Sequence, residues 1–117
     1  MLLNQQLLLK LKEFMILIII LVLILKIFVS KIKWVEAYGD YIKIVTDEES
    51  HLVLSTMKGF EKELPENKFL RIHKSYIVNL AKVSSIDGNR VYMGDRSFPI
   101  GATYRGAFMN LVKLHMG

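Results

Sequence analysis

Residues 14–25, FMILIIILVLIL, are apolar without a break, and IFV after Lys26 carries the run to Val29. From Lys31 onward the pattern changes to short alternating runs separated by turn residues, the mark of antiparallel strands. IKWVEAY (32–38) predicts a strand ending at Gly39-Asp40. YIKIVT (41–46) sets Ile42 and Ile44 on one face against Tyr41, Lys43 and Val45 on the other. DEES (47–50) is an acidic turn, and HLVLST (51–56) is the return strand. Ser55 or Thr56 then supplies a helix cap. Met57, Phe60 and Leu64 form one apolar helical stripe, which Pro65 ends. KFLRIHKSYIVNL (68–80) and KVSSI (82–86) lead to the hairpin signal DGN (87–89). RVYM (90–93), the turn GD (94–95) and RSFPI (96–100) follow, and Pro99 argues for an edge strand. Residues 101–114 read as a loop and a short helix. The expectation is a mainly β chain of about seven antiparallel strands with one or two short helices, preceded by a hydrophobic helix. Residues 1–30 form a hydrophobic N-terminal segment and 31–117 the domain.

Several readings of the first segment stand open. At ~1.5 Å per residue, the sixteen residues 14–29 reach ~24 Å as a helix, short of a ~30 Å hydrocarbon core. Leu7, Leu8, Leu9 and Leu11 lengthen the apolar surface, and Lys10, Lys12 and Lys26 can snorkel outward. That reading is a short transmembrane helix. Its flanking lysines, Lys26, Lys31 and Lys33 against Lys10 and Lys12, put residues 31–117 in the cytoplasm, tethered to an inner membrane. The Ile-rich run also suits a hidden strand or a packed element. A cleaved signal peptide requires small residues after the apolar core, and only Ser30 is there.

Composition changes the picture in two ways. The 117 residues, enough for one domain, contain no cysteine, which removes disulfides, thiolate metal sites and cysteine nucleophiles. The net charge of +5 conceals three blocks: +4 over residues 1–33, −5 over 34–66 and +6 over 68–117. The basic last block suggests a polyanionic partner, nucleic acid or an anionic membrane. His51, His73 and His115 lack neighbours at metal-ligand spacing, and no phosphate-binding glycine loop occurs. Asp47, Glu48 and Glu49 read as a solvated turn. Neither enzyme activity, a metal nor a cofactor is expected.

The stretch FLRIHKSYIVN (69–79) is unusual because Arg71, His73 and Lys74 interrupt residues that otherwise want burial. Extended, it would set Phe69, Arg71 and His73 on one face and Leu70, Ile72 and Lys74 on the other. The chain is expected to leave the core at His73-Lys74, where Lys74, Ser75 and Asn79 supply donors of the kinds used on phosphates and base edges.

This stretch closely resembles the signature of the LytTR DNA-binding domain family, the output domain of many bacterial response regulators. IKWVEAYGDYIKI (32–44) is similar to the family's opening strand pair, LSTMKGFEKELPENKFLRIHKSYIVNLAKVSSI to its helix and following strands, and FPIGATYRGAF (98–108) to its closing segment. The resemblance covers about residues 31–112. It implies an elongated set of small antiparallel sheets whose inter-strand loops enter successive major grooves of double-stranded DNA. The implied loops are Gly39–Lys43, His73–Ser75 and Gly101–Arg105. Lys74 would then contact a base edge or phosphate, and Arg105 the second groove. Tyr41 and Tyr104 would support their loops or touch the backbone, with His73, Ser75, Lys43 and Thr103 beside them. Arg71 and Asn79 would brace the signature loop, and a dimer on DNA is implied by analogy. Structural readings stand beside these: His73 as a satisfied histidine, Arg71 paired with a carboxylate such as Glu36, and Tyr104 as packing.

The sequence departs from the family in three places. LKIFVSK (25–31) stands where the family usually has another strand or hairpin. No receiver domain precedes the segment, so phosphorylation in cis is not expected. Ala102 replaces a residue that is often polar or basic, implying one DNA contact fewer. The leading expectation is a sequence-specific DNA-binding transcriptional regulator. The alternatives are a membrane-anchored interaction module that binds anionic lipid through Lys26, Lys31 and Lys33, or a protein partner, without DNA, and a truncated domain that folds poorly.

Overall fold

The structure is a computed structural model that describes residues 2–116, with the side chains of residues 4–114. It divides into two compact units, Met1–Lys31 and Ile32–Gly117. The first is one helix, α1 (Leu2–Lys31), so the strand alternative for residues 14–25 does not hold. Its stretch Asn4–Lys31 has 28 residues, ~42 Å at ~1.5 Å per residue, and is long and apolar enough to cross a membrane. None of it is buried within the chain, unlike the core helix of a soluble protein, although a signal sequence has the same composition.

The second unit contains eight described strands rather than about seven. In chain order they are β1 (Ile32–Tyr38), β2 (Tyr41–Thr46), β3 (Ser50–Leu54), β4 (Phe69–His73), β5 (Tyr76–Asn79), β6 (Ser85–Asp87), β7 (Arg90–Met93) and β8 (Arg96–Pro99). Two helices, α2 (Met57–Glu61) and α3 (Arg105–Met116), and a 3-10 turn at Leu80–Lys82 complete it. All strand pairs are antiparallel, in a five-stranded sheet of order β3-β2-β1-β5-β4 and a three-stranded sheet of order β6-β7-β8. Pro99 does sit on an edge strand, where its missing N–H costs no ladder bond. The mainly β, antiparallel fold with short helices agrees with the reading of the sequence.

One core cluster joins both sheets. Trp34, Ile72 and Val78 of the larger sheet pack with Val91, Met93 and Phe98 of the smaller one, with Ile100 and with Phe108 of α3. The opposite face of the larger sheet carries Val35, Ile42, Ile44 and Ile77, each under 5% exposed. The alternation predicted for residues 41–46 is therefore present. Alternation fails at two bulges. In β1 the pairing shifts between Ile32 and Trp34, so Ile32, Trp34 and Val35 are all buried. In β4 the shift lies between Arg71 and His73. The extra residue puts Arg71 opposite Ile77 on one face and His73 opposite Tyr76 on the other. Phe69, Arg71 and His73 thus do not share a face.

Helix α2 is shorter than its apolar stripe suggested. Thr56 caps it, accepting the Gly59 N–H at 3.0 Å, and it ends at Glu61, before Leu64. Leu64 is buried all the same.

Candidate nucleic-acid interface

Strand register decides which loops meet. Tyr38 pairs with Tyr41, leaving a two-residue turn, Gly39-Asp40, whose glycine has φ 65. A positive φ at the first central position suits the twist of a hairpin, and glycine adopts it without a Cβ penalty. β5 runs antiparallel to β1 with Glu36 opposite Tyr76. The β4–β5 turn, Lys74-Ser75, therefore lies at the same end of the sheet as Gly39-Asp40. The Ala37 N–H donates to Ser75 O at 2.9 Å and ties the two together.

The third loop reaches this end by one backbone bond. The Gly101 N–H donates to Ile72 O at 2.7 Å. A Cβ on Gly101 would stand 3.2 Å from the Tyr104 ring and 3.6 Å from the His73 ring, so close approach calls for glycine here. The three loops named from the sequence thus converge on one edge.

Arg71 holds that edge from below. Its Nη2 donates to Lys74 O at 2.7 Å and its Nε to His73 O at 3.3 Å. Nη1 pairs with Glu61 of α2 at 3.4 Å, not with Glu36. Glu36 instead accepts from Trp34 Nε1 at 3.3 Å. The guanidinium lies 5.6 Å from the centre of the Tyr104 ring. One planar fork therefore links α2, the Lys74 turn and the Gly101 loop, a geometry lysine cannot reproduce.

His73 closes the turn from within. Its Nδ1 accepts the Ser75 N–H at 3.1 Å, and its ring lies 5.5 Å from Tyr76. Tyr76 in turn lies 5.0 Å from Phe98, and Phe98 5.0 Å from Trp34. A run of rings thus anchors the turn in the core. Lys74 is exposed, and its ammonium has no hydrogen-bond or ion-pair partner among the described residues.

The other predicted residues are placed as follows. Tyr41 is exposed, Thr103 is exposed beside Ala102, and Ser75 and Tyr104 are half-buried. Lys43 lies with its Nζ 5.7 Å from the centre of the Tyr38 ring. Arg105 is half-buried, and its guanidinium donates to Asn89 Oδ1 and to Gly88 O in the β6–β7 turn. Asn79 stands at the opposite end of the β4–β5 hairpin from the turn. Its Nδ2 donates to Ile32 O at 2.8 Å and its Oδ1 accepts the Ala81 N–H at 3.1 Å. Among the described residues no three His, Cys, Asp or Glu side chains gather around a metal-sized space, and the side chain of His115 lies outside them.

Three residues of this edge were missed in the sequence. Tyr38 is 55% exposed and supports Lys43. Its symmetric place with Tyr41 about a two-residue turn was a usable signal. Tyr76 and Glu61 act through tertiary contacts that no local pattern encodes.

Comparison with known proteins agrees with this geometry. The family model described as the LytTr DNA-binding domain matches residues 23–113, beginning within the last turns of α1. The sensory transduction protein LytT of Bacillus subtilis is 25% identical over 80 residues, 63% of this chain and 33% of the relative. LytT of Bacillus anthracis is 23% identical over 92 residues, 74% of this chain and 37% of the relative. The chain therefore spans about a third of the length of these relatives. A solved LytTr DNA-binding domain from Bacillus cereus superposes with a TM-score of 0.66 at 26% identity, covering 72% of this chain and 83% of that one. The family is a DNA-binding one, not a family of enzymes. With its signature stretch at the convergent edge and the family model matched over most of its length, the chain belongs to the LytTr DNA-binding domain family.

Proposed function

We propose that residues 32–117 bind double-stranded DNA as the recognition part of a cytoplasmic transcriptional regulator. The contact is the edge built by Gly39–Lys43, His73–Ser75 and Gly101–Arg105. The observation that carries this reading is the convergence of these loops around an unpartnered Lys74, with the backbone on either side held by Arg71 and His73. An exposed lysine on a braced turn suits a phosphate or a base edge, and a braced turn lowers the ordering cost of binding. Ser75, Tyr41 and Thr103 add hydroxyls along the same edge, and Lys43 a second cation. Loops so close together address neighbouring stretches of one duplex, which supports sequence-specific reading through the major groove.

We also read α1 as a membrane anchor. Its last residue is joined directly to Ile32, at the start of β1, and the contact edge lies at the end of that strand. The seven residues of β1, at ~3.3 Å each, span ~23 Å.

The test uses the full chain solubilised in detergent. A bound sequence is selected from a random duplex pool, and affinities are read by fluorescence anisotropy across a salt series. The selected duplex should bind at least ~10³-fold more tightly than random DNA, with log affinity linear in log salt. Lys74→Ala should lose about tenfold, ~1–2 kcal/mol, with unchanged thermal stability. A folded chain with no preference among duplexes would sink the reading.

A further inference from the structure

We propose that the β6–β7 turn, Asp87 to Arg90, is a fourth DNA contact, in which Arg90 and Arg105 grip a backbone phosphate and Asn89 positions the pair. The inference rests on the DNA-binding reading above and extends it to a turn which that reading does not use.

Two guanidinium groups are fixed around this turn. Arg105 donates Nη1 to Asn89 Oδ1 and, at 3.3 Å, to Gly88 O. Its Nε–H and both Nη2 hydrogens have no partner among the described residues. Arg90, the first residue of β7, donates Nε to Ser97 Oγ at 3.1 Å. Its Nη2 donates to the same hydroxyl at 3.0 Å and to Ser97 O at 3.3 Å. The Nη1 hydrogens of Arg90 have no partner among the described residues. Neither arginine has a carboxylate within ion-pair distance among the described residues. Asp87 is opposite Arg90 in register, yet no ion pair closes between them.

A guanidinium held by neutral acceptors keeps its full charge and part of its donor fork. Two such groups on one exposed turn call for an anion from outside. Planar forks match the oxygens of a phosphate diester better than a point cation does. Because both side chains are already ordered by internal hydrogen bonds, binding loses little rotamer freedom.

The turn is also linked to the proposed contact edge. Ile100 N–H donates to Asn89 O at 2.7 Å, and the next residue, Gly101, donates to Ile72 O at 2.7 Å. Two consecutive residues therefore connect the β6–β7 turn to the Lys74 turn through backbone bonds alone. A duplex seated on Lys74 has its sugar–phosphate backbone within reach of this turn. Side chains tied down in this way suit positioning contacts, which carry affinity and no sequence information.

The experiment compares the full detergent-solubilised chain with Arg90→Ala, on the selected duplex and on random DNA, over a salt series. Arg90→Ala is expected to weaken both duplexes by the same factor, roughly three- to tenfold, and to reduce the slope of log affinity against log salt by ~0.9. Ser97→Ala keeps the charge but releases the fork. It should retain the parent slope while weakening binding less. Melting curves show whether either variant is folded, and Arg90→Lys, which keeps the charge, should recover the slope if Arg90→Ala is unstable. Inorganic phosphate at constant ionic strength should not displace the duplex. Displacement at low concentration would mean that the turn is a free-phosphate site and would overturn the proposal. It also fails if Arg90→Ala keeps the parent affinity and slope, or if only the preference for the selected duplex is lost. A parent that binds no DNA removes the DNA-binding reading itself, and this inference with it.

Discussion

The two ends of the five-stranded sheet use their polar groups in opposite ways. At the end that holds Ile32, several polar groups are satisfied internally. Asn79 is 4% exposed and uses both its amide nitrogen and its oxygen, on Ile32 O and on the Ala81 N–H. Thr46 closes the β2–β3 turn by exchanging hydrogen bonds with the backbone of Glu49. Lys82 pairs with Asp47 at 3.5 Å. At the other end the backbone is braced by Arg71, His73 and the Gly101 N–H, but the Lys74 ammonium has no hydrogen-bond or ion-pair partner among the described residues. Rigid backbone with unused donors is what a recognition surface requires. On the proposed reading, the same sheet has one end organised for stability and one for contact.

The largest effect should come from the stable end. Asn79→Ala removes the side-chain partner of the buried Ile32 O and of the part-buried Ala81 N–H. It should cost about 2–3 kcal/mol, read as a lower urea midpoint with an unchanged m-value. DNA affinity of the folded fraction should stay at the parent level. A loss of affinity without loss of stability would break the division between the two ends.

Arg71→Ala comes next, and it acts on the contact end. The Lys74 turn loses two carbonyl braces and α2 loses its Glu61 pair, so DNA binding should fall tenfold or more while stability falls by about 1–2 kcal/mol. Arg71→Lys separates charge from geometry. Lysine keeps the cation but not the fork, so affinity should stay low. Full recovery with lysine would show that charge alone matters at this position.

How much of this was readable in the chain follows from the range of the interactions. The β1–β2 hairpin was legible because a two-residue turn and a period of two are local signals. The bulge at Arg71 was not, because burial of Ile72 in the shared core, rather than alternation, decides which way the strand turns. Arg71 pairs with Glu61 and Arg105 with Asn89 through contacts ten and sixteen residues away. No spacing rule distinguishes those partners from Glu36 or from DNA. The convergence of the three loops depends on β1 pairing with β5 across some forty residues of chain. No local pattern encodes it. Asn79 misled for a related reason. It belongs to the signature stretch in sequence but to the far end of the hairpin in space.

The smallest effect should come from the acidic turn. Asp47, Glu48 and Glu49 are exposed at the end opposite Lys74. The six residues of β2, at ~3.4 Å each, put them ~20 Å from the contact edge. That is more than two Debye lengths at 0.15 M salt, where screening acts over ~8 Å, but less than one at 0.01 M, where it acts over ~30 Å. Replacing all three by their amides should therefore change DNA affinity by less than about twofold at 0.15 M. At 0.01 M it should tighten binding severalfold, as repulsion of the phosphates is relieved. Stability should shift little, since the turn is closed by Thr46 and by the backbone of Glu49, and the exposed Lys82–Asp47 pair contributes about 0–1 kcal/mol. A tenfold gain at 0.15 M would mean that DNA passes within a few ångströms of these carboxylates. The two ends would then form one continuous DNA-facing surface, and the separation between a stable end and a contact end would be lost.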